Sequence, residues 1–92
     1  ILSRPTPVTV ALAGAGGSGS QMLTRLARMH AALQSRNHPG LMVTVYDPDT
    51  VSAANVGRQM FYAADIGQYK SVCLVNRINL AYGLRWDFAV HK

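Results

Sequence analysis

Apolar residues alternate along the chain between short dense runs and longer spaced stretches, and each predicts an element. Val8-Thr9-Val10-Ala11-Leu12-Ala13 is β-branched at its start and apolar almost throughout, which suits a strand covered on both faces. Glycines follow at 14, 16, 17 and 19. An amphipathic stretch then predicts a helix from about Ser18 to Arg36. Its Met22, Leu23, Leu26, Met29, His30 and Leu33 recur at helical spacing, while Arg25, Arg28 and Arg36 fall on another side. Asn37-His38-Pro39-Gly40 reads as a helix stop and a turn. Leu41 to Tyr46 predicts a second buried strand, ending at Asp47. Pro48 to Gln59 is polar and broken by Pro48 and Gly57, so it reads as a loop with a short helical turn. Asp65 is placed to cap a second helix, about Ile66 to Ala81, carrying Val72, Cys73, Val75, Ile78 and Asn79, with Gly83 as its stop. Arg85 to His91 alternates, with Trp86, Phe88 and Val90 on one side, and predicts a third strand.

Strand, helix, strand, helix, strand is a βαβαβ unit of an α/β fold, half of a Rossmann-like, doubly wound parallel sheet. Three strands and two helices do not cover both faces of a parallel sheet. The unit is therefore expected to be an incomplete half of a larger domain, or one completed by self-association. Composition agrees with folded material, at 49% hydrophobic residues. One cysteine, Cys73, excludes an internal disulfide and a multi-cysteine metal site, and a cytoplasmic location follows as the expectation. No apolar run reaches the roughly 18 residues that cross a bilayer, and no signal peptide is expected. The net charge of +5 suits an anionic partner. The aromatic residues are too dispersed for a nucleic-acid stacking platform. His30 is expected to pack in the core and His38 to face solvent; no histidine pair has ligand spacing, so no metal held by side chains is expected.

Gly14-Ala15-Gly16-Gly17-Ser18-Gly19 fits G-x-G-x-x-G between a strand and a helix. The first glycine permits a tight turn, the second lets backbone approach a phosphate, and the third lets helix and strand pack closely. The first amides of the helix are free donors aimed at an anion. Asp47, at the end of the second strand, stands 28 positions after Gly19. An acid there binds ribose hydroxyls in dinucleotide and in several ATP-binding folds. The glycines and Asp47 thus leave NAD, FAD and ATP open. The following stretch separates them. It carries Asp49, Asn55, Arg58, Gln59 and Lys70. Arg58 and Lys70 are two cations suited to a triphosphate, the arginine as a bidentate fork and the lysine as a point charge.

Taken in order, these elements resemble the E1 superfamily, the adenylating enzymes related to ThiF, MoeB and the ubiquitin-activating enzymes. The family pattern is G-x-G-G-x-G, then D-x-D-x-V, then S-N-L-x-R-Q, then G-x-x-K. The chain offers the glycine loop, Asp47-Pro48-Asp49-Thr50-Val51, Ala54-Asn55-Val56-Gly57-Arg58-Gln59, and Gly67-Gln68-Tyr69-Lys70. The match runs from about Val8 to Ile78, and resembles most the ThiF-like proteins of bacterial plasmid-borne systems. Residues 1–92 are accordingly expected to be the N-terminal part of a nucleotide-binding domain.

The resemblance implies the roles. Gly14, Gly16, Gly17 and Gly19 would contact ATP, and Asp47 its ribose. Asn55, Arg58, Gln59 and Lys70 would line the triphosphate. Asp49 would contact the site or hold its loop. Arg58 and Lys70 would act catalytically, neutralising charge while the C-terminal carboxylate of a ubiquitin-like or sulfur-carrier protein is adenylated and pyrophosphate leaves. Mg2+ would be held mainly by residues beyond Lys92, and a homodimer is expected. Ala54 and Val56 replace the family's serine and leucine, and neither swap removes a phosphate ligand. Cys73 is expected to be a packed thiol. The alternatives are an NAD- or FAD-binding oxidoreductase domain, with no need of Arg58 and Lys70, and a non-catalytic E1-like subunit.

Overall fold

In the computed structural model, which describes residues 6–56 and 61–90, the elements are β1 (Val8–Ala13), α1 (Gly17–Gln34), β2 (Leu41–Tyr46), α2 (Lys70–Tyr82) and β3 (Asp87–Ala89). Two short 3-10 turns, Ala53–Asn55 and Ala63–Asp65, lie between β2 and α2. The strands form one parallel sheet in the order β1-β2-β3. Val8 pairs with Leu41 and Ala13 with Tyr46, so β1 and β2 run in step along their whole length. β3 joins late, with Thr44 opposite Asp87 and Tyr46 opposite Ala89.

Two right-handed crossovers in the same direction place both helices on one face of the sheet. The strands show this directly. Leu41, Val43 and Val45 are buried, whereas Met42 and Tyr46 are exposed and Thr44 is half-buried. On β1 the residues in register with the buried set, Val10 and Leu12, pack against the core, and Thr9, Ala11 and Ala13 face outward. The architecture is therefore the expected βαβαβ half of a Rossmann-like fold, with a core under α1 and α2 and an open second face.

The helices differ in detail from their sequence pattern. The stripe that α1 buries is Ser20, Leu23, Leu26, Ala27 and His30; Met22 and Met29 are exposed. Small residues at 20 and 27 let the helix lie close, and this turns the methionines to its flanks. α2 begins at Lys70, four residues after the expected Ile66, because Gly67 sits at φ 89° and its neighbours form a ladder instead. Gly67 N donates to Val51 O (2.9 Å), and Val51 N donates to Gln68 O (2.8 Å). Asp65 consequently does not cap α2. Its carboxylate turns back and accepts from Tyr62 N at 2.8 Å.

β3 is shorter than the alternation predicts, and Trp86 lies before it. The Trp86 backbone is taken by Asn79 of α2, which donates to Trp86 O and accepts from Trp86 N, both at 3.0 Å. Trp86 is buried and donates its indole N–H to Leu41 O (3.0 Å). Its ring meets His30 edge-on, with centroids 5.9 Å apart. His30 is packed as expected, and its Nδ1 accepts from Leu41 N at 2.9 Å, which fixes the proton of the neutral ring on Nε2. Gly40 closes this end of the sheet at φ 90°, where an added Cβ would run into the His30 ring. His38, expected at the surface, is half-buried and accepts from Gly40 N through Nδ1 (2.8 Å).

Asp65 and Arg77 form the one ion pair among the described residues. Arg77 Nη2 stands 2.7 Å from Asp65 Oδ2 and donates to Oδ1 at 2.8 Å. The Tyr62 N–H, and after it Arg77, hold the buried Asp65 carboxyl below its usual range against the opposing effect of burial. Cys73 packs nearby and is buried; burial, and then the Asp65 charge, push its thiol up, so it is a poor nucleophile at neutral pH.

Two outcomes follow for stability. Gly40→Ala is expected to cost about 2–4 kcal/mol, from overpacking against His30 and from left-handed strain, measured by urea unfolding; a cost below about 1 kcal/mol contradicts this packing. Because Asp65 has a lowered folded-state pKa, its contribution is present above the unfolded carboxylate value of about 3.9 and is lost as pH falls through the lower folded value. Asp65→Asn is therefore expected to be less stable than the parent at pH 7, with the gap closing below about pH 4. A gap that persists unchanged in acid contradicts the assignment.

Candidate nucleotide-binding site

The site is built where β1 and β2 end. Gly14 takes φ 95°, a conformation that strains any residue with a Cβ, and its N–H donates to Tyr46 O at 2.8 Å. The chain thereby leaves β1 while still tied to the end of β2. Gly16 precedes α1 as its N-cap with extended backbone and no side-chain cap, and Ser20 N donates to Gly16 O (2.8 Å). Gly19 faces the turn it came from: a Cβ there would overlap the Gly14 carbonyl. Its role is close packing of helix on loop. Gly17 is different, because a Cβ there meets nothing within 4 Å. The chain's own packing does not require a glycine at 17, and the space in front of it is open to a ligand.

Asp47 joins this loop to the rest of the site. It is only 6% exposed, and both its carboxylate oxygens are engaged. Oδ2 accepts from Ala15 N at 2.6 Å, and Oδ1 accepts from Asp49 N at 2.8 Å. The first bond holds the glycine loop, and the second bends the chain after β2 into a turn around Pro48. Each oxygen keeps a second acceptor lone pair, which is what a ribose hydroxyl would use. The Asp47 backbone is also held, its N–H donating to Ala89 O of β3 (3.1 Å). The fully buried Ser71 reaches Asp47 O with its hydroxyl at 3.4 Å, a long bond.

Of the second group of sequence-predicted residues, Asp49 and Lys70 are brought together. Asp49 O accepts from Lys70 N at 2.9 Å, and Thr50 pairs with Tyr69 in an antiparallel bridge. D-x-D-x-V and G-x-x-K are therefore one paired unit, and Lys70 opens α2 directly beside Asp49. Asp49 itself is exposed and Lys70 half-buried. Asn55 stands at the end of its 3-10 turn, where its Oδ1 accepts from Ser52 N (2.8 Å) and Ser52 Oγ (3.1 Å). That fixes the side chain by its carbonyl, and its amide donors have no partner among the described residues. Arg58 and Gln59 lie outside the described residues. Sequence pattern did not single out Ser71 or Ser52; the signal available was a serine next to Lys70 and one three residues before Asn55.

Both helices thus point their N-termini toward Asp47–Asp49. Neither helix carries an acidic residue in its own first turn, and the Asp47 carboxylate that receives Ala15 N is the acid nearest the start of α1. With Lys70 at the second terminus, the place is suited to an anion. Among the described residues no three Asp, Glu, His or Cys side chains gather to hold a metal ion, and no helix is long and apolar enough to cross a membrane.

Known structures share this fold. E. coli MccB, solved with ATP, is 19% identical with a TM-score of 0.73; the match covers 92% of this chain and 23% of MccB. E. coli TcdA, a tRNA N6-threonylcarbamoyladenosine dehydratase solved in complex with AMP, is 23% identical with a TM-score of 0.72, over 91% of this chain and 32% of TcdA. E. coli MccB with MccA-N7isoASN is 20% identical with a TM-score of 0.70, over 95% of this chain and 23% of MccB. At these identities the likeness is one of fold, and the chain spans a quarter to a third of these proteins' length. No curated protein sequence matches it. The model of the ThiF family matches residues 5–82, which take in the glycine loop, the Asp47–Val51 turn and α2, and this chain belongs to the ThiF family.

Proposed function

We propose that this chain is the ATP-binding portion of an E1-like enzyme that adenylates the C-terminal carboxylate of a ubiquitin-like or sulfur-carrier protein. The observation that carries the reading is that the glycine loop is bonded to Asp47, the Lys70 end of α2 is bonded to Asp49, and Asp49 N is bonded to the Asp47 carboxylate. A dinucleotide site has use for the loop and the acid. It has none for a lysine set at a second helix terminus against the same turn. That two proteins sharing the fold were solved with ATP and with AMP supports the choice of nucleotide.

In this reading the amides at the start of α1, with Gly17 leaving room, receive phosphate oxygens. Asp47 accepts from the ribose. Asn55 offers its amide donors, and Lys70 with Arg58 and Gln59 faces the triphosphate. The carrier's carboxylate oxygen attacks the α-phosphorus, a new P–O bond forms, and the bond to the β-phosphate oxygen breaks to release pyrophosphate. Lys70 and Arg58 offset charge that grows on the bridging and terminal oxygens. Mg2+ bound with ATP would offset part of the charge on its phosphates. A protein partner is in keeping with MccB having been solved with MccA-N7isoASN. A homodimer belongs to the same reading, and the open face of the sheet gives a physical reason for association.

Titration of the intact protein is expected to show ATP binding more tightly than NAD; the reverse order overturns the reading. Lys70→Ala is expected to weaken ATP about 10- to 100-fold, the worth of one charge-assisted hydrogen bond. Pyrophosphate exchange in the presence of a carrier protein tests the chemistry. Tight ATP binding without exchange would instead assign a non-catalytic, partner-binding subunit.

A further inference from the structure

Asp65 and Arg77 are a buried carboxylate and its partner that the proposed chemistry does not use. The pair contributes some stability at neutral pH, but stability alone does not account for its form. The Arg77 side chain is 35% exposed, so solvent screens its attraction to Asp65, and its Nη1 is buried with no hydrogen-bond partner among the described residues, which carries a desolvation cost. The guanidinium instead lies 4.4 Å over the Tyr62 ring. Three groups therefore hold one turn: Tyr62 through its N–H and ring, Asp65 through both oxygens, and Arg77 from two helical turns into α2.

That turn leads straight into the start of α2. Gln68 N donates to Asp65 O (2.8 Å), Gln68 O accepts from Val51 N, and Lys70 N donates to Asp49 O. α2 thus ties down, through Arg77, the segment from which it starts. A slip of one residue in that start would swing Lys70 by about 100° around the helix axis and about 1.5 Å along it. We propose that Asp65 and Arg77 are positioning residues, a clamp that sets the register in which the 65–69 segment enters α2 and so holds Lys70 against Asp49 for a nucleotide's phosphates. The claim rests on the proposed ATP site, and it makes Arg77 act through Lys70 rather than on the ligand.

A double-mutant cycle on the intact protein tests it, with dissociation constants for ATP and for adenosine measured by calorimetry. Arg77→Met is expected to weaken ATP about tenfold and adenosine less than about twofold, and to have less than about twofold effect on ATP once Lys70 is alanine. A merely structural role would weaken both ligands alike. Equal losses for ATP and adenosine, or a loss of ATP affinity that persists in the Lys70→Ala background, overturn the clamp and leave the ATP site standing. If Lys70→Ala alone leaves ATP affinity unchanged, the site reading fails and the clamp with it. Should Arg77→Met not fold, the near-isosteric Asp65→Asn runs through the same cycle, with the same selective loss expected and an unchanged ATP affinity contradicting it.

Discussion

The Asp47 carboxylate takes one backbone N–H on each oxygen, from Ala15 and from Asp49, and most of the upper end of the molecule follows from those two bonds. A glycine loop has little of its own to hold it in shape. Here the loop is tied by Gly14 N to the last residue of β2 and by Ala15 N to the carboxylate that follows. The same carboxylate folds the Asp47-Pro48-Asp49 turn, so the chain beyond β2 leaves in a direction that lets Thr50 and Val51 pair with Gln68 and Tyr69. Lys70 is delivered by that pairing. Bonds from backbone donors to an ionised carboxylate are among the stronger hydrogen bonds in proteins, and burial of Asp47 makes leaving either unmade more costly.

The opposite end of the sheet has its own anchor and a different purpose. His30 Nδ1, the Trp86 indole N–H and the Asn79 amide bond to the backbone of Leu41 and Trp86, so that end is held by internal hydrogen bonds. The glycine-loop end leaves helix N-termini, a Gly17 with open space before it, and a half-buried lysine. The molecule is closed where it needs only to be stable and open where it can meet an anion. Between them, the Asp65–Arg77 pair links the helix core to the turn that carries the lysine.

Much of this was legible in the sequence because it depends on local pattern. The two dense apolar runs, the glycines after the first and the Asn37–Gly40 stop gave β1, α1 and β2 within a residue or two. The order of the four motifs pointed to the family. What failed depended on long-range partners. Asp65 looks like a helix cap by position, but its acceptors turn back to Tyr62 and across to Arg77, twelve residues on. Ile66 to Tyr69 has helix-compatible residues, yet Gly67 and the Val51 ladder draw it into extended pairing. Met22 and Met29 fit an apolar stripe, but Ser20 and Ala27 face the core instead. Trp86 alternates with Phe88 and Val90 as a strand would, while Asn79 has already taken its backbone. The sequence pattern could name Asp47 as a nucleotide acid; that it also holds together the two halves of the site came only with the fold.

The most direct measurement of that account is amide hydrogen exchange at Ala15 and Asp49 in the parent protein and in Asp47→Ala. If one carboxylate holds both segments, the two amides lose protection together in the variant, while amides in the middle of β2, such as Val43, keep theirs. If either Ala15 or Asp49 stays as protected as in the parent, the glycine loop and the Asp49–Lys70 unit are held independently, and Asp47 is not what joins them.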